Sequence, residues 1–136
     1  MRVLKSFLAG FLSTLVFHQG LLALLHGVGA TPRMPWVLTP TRPFGVPAVV
    51  SLAFFGGLWG ILIWEIVRKR PPSKQWAVAL ALGAVLPTLV ALFVVFPMKG
   101  LPVAGGWKPD ILLGALLLNG AWGVGVVVFM RLLRGA

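Results

Sequence analysis

Hydrophobic positions along this chain neither alternate nor confine themselves to one helical face; they gather into four nearly unbroken runs, residues 7–28, 48–67, 76–96 and 111–130. Each run holds about 20 residues, which at a rise of about 1.5 Å per residue crosses a hydrocarbon core of about 30 Å. Unsatisfied backbone groups are so costly in lipid that only helices or a closed barrel can cross it, and apolar runs of this length without a two-residue alternation are helices. The pattern therefore predicts an all-α membrane protein with four transmembrane helices, in which residues 1–136 form a single integral-membrane domain.

The runs also match in pairs. Superimposing the second on the fourth aligns Gly57-Leu58-Trp59-Gly60 with Gly120-Ala121-Trp122-Gly123, and Arg68 with Arg131. Within the first, Leu12-Ser13-Thr14-Leu15-Val16 echoes Leu86-Pro87-Thr88-Leu89-Val90 of the third. The expectation is a duplicated helical hairpin, with halves of residues 1–70 and 71–136.

Composition narrows the solvent. With 59% hydrophobic and 10% charged residues, the chain lacks the polar surface that a domain of this size needs in water. The net charge of +10 does not indicate nucleic acid, because the basic residues sit in connections and termini and form no stripe with interleaved stacking aromatics. They report topology instead. Arg2, Lys5, Arg68, Lys69, Arg70, Lys74, Arg131 and Arg134 fall on one side if the runs alternate direction, and Arg33, Arg42, Lys99 and Lys108 on the other, where Asp110 lowers the charge further. The positive-inside rule then puts both termini and the central link in the cytoplasm, where anionic lipids are natural neighbours. The N-terminal apolar stretch is longer than a usual signal-peptide core, so it is expected to stay as the first helix. The chain has no cysteine, which rules out disulfides, thiolate metal sites and thiol catalysis within it.

The outer connections, residues 29–47 and 97–109, are rich in proline and glycine and are expected to be stiff and extended. Pro47 suits the start of the second helix and Pro109-Asp110 that of the fourth. The inner link, residues 68–75, is short, so the second and third helices should be neighbours. Trp36 and Trp107 in the outer loops and Trp64 and Trp76 at the inner boundary are expected to form aromatic belts. Trp59 and Trp122 lie inside the bilayer among Gly56, Gly57 and Gly60, and among Gly120, Gly123 and Gly125. Small residues four apart let helix backbones approach closely, so these positions are expected to pack the second and fourth helices together around a pseudo-two-fold axis. A ligand slot walled by the two indoles is the competing reading.

Candidate chemistry is sparse. His18 and Gln19 put two polar side chains near the midplane of the first helix, where such groups are costly and face protein or water. Thr88, beside Pro87, and Asn119, beside Gly120, fall at the same level. These four define a candidate polar layer. Its structural reading is interhelical hydrogen bonding worth roughly 0.6–2 kcal/mol per bond; its functional reading is a small-solute, quinone or proton site in which His18 titrates. His26 follows His18 by eight positions on the same helix, so one haem could not take both, and no other helix carries a histidine. A haem through His18 or His26 across a dimer is disfavoured, and no cofactor or metal is expected. Glu65 and Asp110 are the only carboxylates and belong to opposite membrane faces, which excludes paired acid/base work. Glu65 precedes Arg68 and Lys69 at the spacing of a helix ion pair. No H-E-x-x-H, G-x-S-x-G or phosphate loop is present.

Phe17-His18-Gln19 with Leu24-Leu25-His26, and Pro43-Phe44-Gly45-Val46-Pro47 leading into Gly56-Gly57-Leu58-Trp59-Gly60, make the chain resemble small four-helix inner-membrane proteins of bacteria. The resemblance covers most of the chain. It implies a multi-pass protein of the inner membrane and brings no activity with it. The chain is also similar in size to small multidrug transporters, but those use an acidic residue in the first helix and this helix has none. The reading that follows is a non-catalytic membrane protein acting by helix packing, as a homo-oligomer or an accessory subunit of a larger membrane complex. The alternative is a small-solute carrier or pore with its site around His18 and Asn119. An enzyme acting on lipid or quinone through His18 is the third possibility.

Overall fold

A computed structural model describes residues 1–42 and 44–133; Pro43 and Arg134, on which the sequence reading drew, lie outside the described residues. The described chain is helical, with one isolated bridge between Pro40 and Pro47 in the first outer loop. Four helices are long and apolar enough to cross a membrane: α1 (Arg2–Gly27), α2 (Ala48–Val67), α3 (Pro72–Met98) and α4 (Pro109–Leu133). Three of them outrun their apolar stretches, because a helix continues through polar turns that reach beyond hydrocarbon. Pro72 opens α3 at its first position, where a missing N–H costs nothing, so the inner link is shorter than the sequence suggested. Pro47 precedes α2, and Asp110 occupies the first turn of α4, where its charge opposes the positive helix end.

The distribution of residue types across each helix is the reverse of a water-soluble bundle. The first half of α1 buries Ser6, Ala9, Gly10 and Ser13 and exposes Val3, Leu4 and Leu8. On the other helices Phe54, Phe55, Leu58, Leu62, Leu80, Val85, Leu89, Leu113 and Leu117 face outward. Where the surroundings are as apolar as leucine, nothing drives large side chains inward, and association depends on close packing of small faces and on hydrogen bonds.

Those small faces pair within each hairpin. A Cβ on Gly10 would collide with the Gly56 carbonyl oxygen and stand 3.0 Å from the Gly60 Cα, and one on Gly57 would meet the Phe7 ring. The second hairpin repeats the arrangement: a Cβ on Gly83 would stand 2.8 Å from the Gly123 Cα and 2.9 Å from the Asn119 carbonyl oxygen, while Gly120 faces Leu80 and Ala84. The expectation that the glycines of the second and fourth helices pack against each other is therefore corrected: those of α2 meet α1, and Gly120 and Gly123 of α4 meet α3. The physical reason is that α1 and α3 carry small faces of their own, Ser6 with Gly10 and Ala79 with Gly83, which admit a backbone as no leucine face can.

Between the hairpins, α1 lies against α4. Gly125 fits under Ser13 and Phe17, and Phe17 stands edge-on to Phe129 at 5.8 Å between ring centroids. The two midbilayer tryptophans part company here. Trp122 is 3% exposed and belongs to the core, whereas Trp59 is half-buried in a shallow outward groove with Phe55, Leu58 and Leu62. Ile63, Trp64, Val67, Ala79, Val126, Val127 and Met130 complete the core toward the end where α1 and α3 begin and α2 and α4 finish. Trp64 is 1% exposed, which corrects its assignment to an aromatic belt. It packs in the core with Ile63, Val67 and Met130 and is not available to a surface belt.

Because the glycine contacts reach backbone atoms, they have no flexible neighbour to yield. Gly10→Leu and Gly123→Leu are each expected to destabilise the protein by about 1–3 kcal/mol or more through overpacking. Gly20→Ala and Gly114→Ala, where nothing lies within 4 Å of a new Cβ, should leave stability unchanged or slightly raised. Thermal unfolding in detergent micelles distinguishes the two pairs.

Candidate functional site

The polar midplane residues owe their positions to a local irregularity of α1. Across Thr14–His18 the helix loosens into a π turn, after which it resumes at Gln19. One carbonyl of that turn, at Leu15, takes a donor from outside the helix, the indole of Trp36. The first outer loop folds back along α1, so the indole Nε1 of Trp36 donates to the Leu15 carbonyl at 2.9 Å and its backbone N–H donates to Gln19 Oε1 at 2.7 Å. The Gln19 amide completes the set by donating to His18 Nδ1 at 2.9 Å. Gln19 is only 4% exposed.

This arrangement revises the picture of stiff, extended outer loops. Val37 and Thr39 offer their carbonyls to the backbone N–H groups of Val49 and Ala48, capping the start of α2, and a tight turn joins Thr41 to Val46 and Gly45. Trp36 itself adopts a left-handed backbone, with φ 49°. In the second outer loop Ala104, Gly105 and Gly106 wind a short left-handed turn, and Trp107 is left-handed too, at φ 59°. Its ring meets Phe93 at 5.7 Å, within the π turn Ala91–Val95 of α3.

Thr88 and Asn119 form a separate group. The Asn119 side-chain amide donates to Thr88 Oγ1 at 2.8 Å, and the Thr88 hydroxyl donates to the Ala115 carbonyl at 3.3 Å. These bonds join α3 to α4, whereas Gln19, with His18 bonded to its amide, engages the outer loop. Among the described residues no hydrogen bond links the two groups, so the four candidates divide into two pairs on different interfaces. None of them lines the hollow beside Arg68 and Arg131 or the groove beside Trp59.

Sequence reasoning missed the bonds that tie α1 to α4. Ser13 Oγ donates to the Trp122 carbonyl at 2.6 Å, and Trp122 Nε1 donates to the Gly10 carbonyl at 3.0 Å. Each is buried, and together they make Trp122 a two-way clasp. Ser6, Gly10 and Ser13, spaced three and four apart in an apolar run, carried the signal. Trp36 was marked only as part of an aromatic belt, and nothing in the pattern pointed to its bonds with α1.

The remaining candidates are also engaged. His26 donates from Nδ1 to the Thr31 carbonyl at 3.1 Å, at the outer end of α1. Glu65 accepts from Arg2 Nε at 2.7 Å and from Arg68 Nε at 3.1 Å, so its second partner comes from α1 and Lys69 takes no part. Among the described residues, every buried side-chain nitrogen and oxygen has a hydrogen-bond partner, and no three His, Asp or Glu side chains come together. Comparisons with family models, with curated proteins and with solved structures match nothing to this chain.

Two unlinked groups imply independent energetics. Gln19→Leu should loosen the first outer loop and speed hydrogen exchange at Trp36 and its neighbours, leaving α3 and α4 protected. Asn119→Leu should weaken the α3–α4 contact and leave that loop alone. The stability losses of the double variant should then sum to within about 0.5 kcal/mol, as measured by thermal or denaturant unfolding.

Proposed function

We propose that this chain is a non-catalytic, multi-pass protein of the bacterial inner membrane that acts by helix packing, as a homo-oligomer or an accessory subunit of a larger membrane complex. The observation that carries this reading is how the interior polarity is used. Ser13, Trp122, Thr88, Asn119 and Gln19 all hold helices or a loop in place, and His18 accepts from the Gln19 amide beside it. Chemistry or transport at the midplane needs polar groups able to exchange partners with a ligand. The carrier reading would further need His18 and Gln19 to share one layer with Thr88 and Asn119.

The two hairpins are, on this proposal, repeats of one unit. Four features support it: the Gly-Leu-Trp-Gly and Gly-Ala-Trp-Gly echo, the equivalent glycine contacts of Gly10 with Gly60 and Gly83 with Gly123, a π turn in each first helix, and a left-handed tryptophan lying near it from each outer loop. The orientation rests on charge. Arg2, Lys5, Arg68, Arg70 and Arg131 surround one end of the bundle, and an end so basic belongs in the cytoplasm.

Two measurements test the reading. Extraction in a mild detergent should yield a stoichiometric assembly with other chains or with copies of this one, and a strictly monomeric species without partners would count against it. Single cysteines introduced beside Arg42 and Lys99 should react with an impermeant reagent on intact cells, while one beside Lys74 should not; the opposite pattern would reverse the orientation.

A further inference from the structure

At the basic end of the bundle the four helices do not close. They leave an open basin of about 870 Å3 lined by Arg2, Lys5, Arg68, Arg70 and Arg131, with Trp64 and Met130 among its apolar walls. Its volume lies in the range of small-molecule sites, roughly 300–1,000 Å3. The single carboxylate near it is Glu65, and the other, Asp110, begins α4 at the far end. Most of the positive charge around the basin is therefore unopposed within the described chain, and low-dielectric walls concentrate its field.

The hydrogen bonds already made orient these cations without exhausting them. Glu65 takes the Nε donors of both Arg2 and Arg68, so the terminal nitrogens of each guanidinium keep their donors. Arg131 lies 4.5 Å from the Trp76 ring centroid, and one terminal nitrogen donates to the Pro72 carbonyl at 2.8 Å and to Gln75 Oε1 at 3.4 Å. Such anchoring lowers the entropy lost when a ligand binds. Pro72 brings the N-terminus of α3, the positive end of its dipole, to the same wall. Lys5 and Arg70 form no ion pair among the described residues.

We propose that this basin is a binding site for a phosphate-bearing anion. Guanidinium forks match phosphate oxygens in pairs, and an anion with several charges is what so many converging cations can neutralise; a lone carboxylate would leave most of them unopposed. The phosphate can come from an anionic phospholipid headgroup or from a soluble phosphorylated molecule, since the basin is open and lies at the end of the long apolar helices. This inference goes beyond the packing role and stands or falls separately from it.

The test uses the full chain in phosphatidylcholine nanodiscs at constant ionic strength. Inorganic pyrophosphate, titrated calorimetrically, probes the soluble source. Nanodiscs of phosphatidylcholine with a minor fraction of phosphatidic acid, read by native mass spectrometry of retained lipid, probe the headgroup source. The comparison variant is Lys5→Gln with Arg70→Gln, whose side chains hold no other element, so its melting temperature in phosphatidylcholine should match the parent's. Saturable pyrophosphate binding weakened roughly tenfold or more by this variant supports a soluble anion. Selective retention of phosphatidic acid that the variant loses supports a lipid headgroup. Arg68→Lys, which keeps the charge and removes the fork, should weaken whichever binding is found. If neither probe binds the parent protein, or if the double variant binds as the parent does, the proposal is overturned.

Discussion

Close approach of helix backbones is the constraint on which the rest of this molecule depends. In hydrocarbon, burying leucine against leucine gains little over leaving it against lipid, so the helices must find stabilisation in short-range dispersion and in hydrogen bonds unavailable from the solvent. Gly10, Gly56 and Gly60 in one hairpin, and Gly83 and Gly123 in the other, bring backbones within reach of each other. Once they are that close, the Gly10 carbonyl is accessible to the Trp122 indole, and the Trp122 carbonyl to Ser13. Packing thus places the donors and acceptors that lock it.

The same economy governs the irregular parts. A π turn in α1 breaks the regular ladder at a depth where water is absent, and such a break is tolerated only if another group serves the backbone. Trp36 does so from the outer loop, and Gln19 secures the loop in return. The polar side chains of the midplane are therefore part of the architecture: one pair fastens a loop to α1, the other fastens α3 to α4. At the basic end the balance differs, because charged groups are gathered there with a single carboxylate among them, and the helices part to leave space between them.

Much of this was readable from residue order. The four runs identified the spanning helices, and the start of α2 after Pro47 and the acid-first start of α4 followed from proline and dipole chemistry. The glycine and tryptophan clusters stood out in the sequence as places where helix backbones could come close. Which surfaces meet was not readable, because Gly57 and Gly120 echo each other in sequence and that echo suggests contact, whereas each of them meets a different helix, Gly57 the ring of Phe7 and Gly120 the side chains of Leu80 and Ala84. The fate of Trp59 and Trp122 shows the same limit: flanking glycines shared by both do not reveal that one indole enters the α1–α4 interface and the other lies half-buried at the edge of the core. The level of His18, Gln19, Thr88 and Asn119 could be counted along the helices, but their division into two groups depends on rotation about the helix axes and on a loop that folds back, neither of which leaves a periodic trace.

The pairing of small faces within hairpins can be tested directly, because the chain has no cysteine of its own. In native membranes under oxidising conditions, cysteines replacing Ala84 and Gly120 should join α3 to α4, since a Cβ at Gly120 lies 3.5 Å from that of Ala84, at the short end of the disulfide range; cysteines replacing Thr14 and Gly56, at 3.3 Å, should join α1 to α2 after a separation of a few tenths of an ångström. Cysteines replacing Gly57 and Gly120 should stay reduced. Efficient crosslinking of that last pair, with the first two unreactive, would contradict the account.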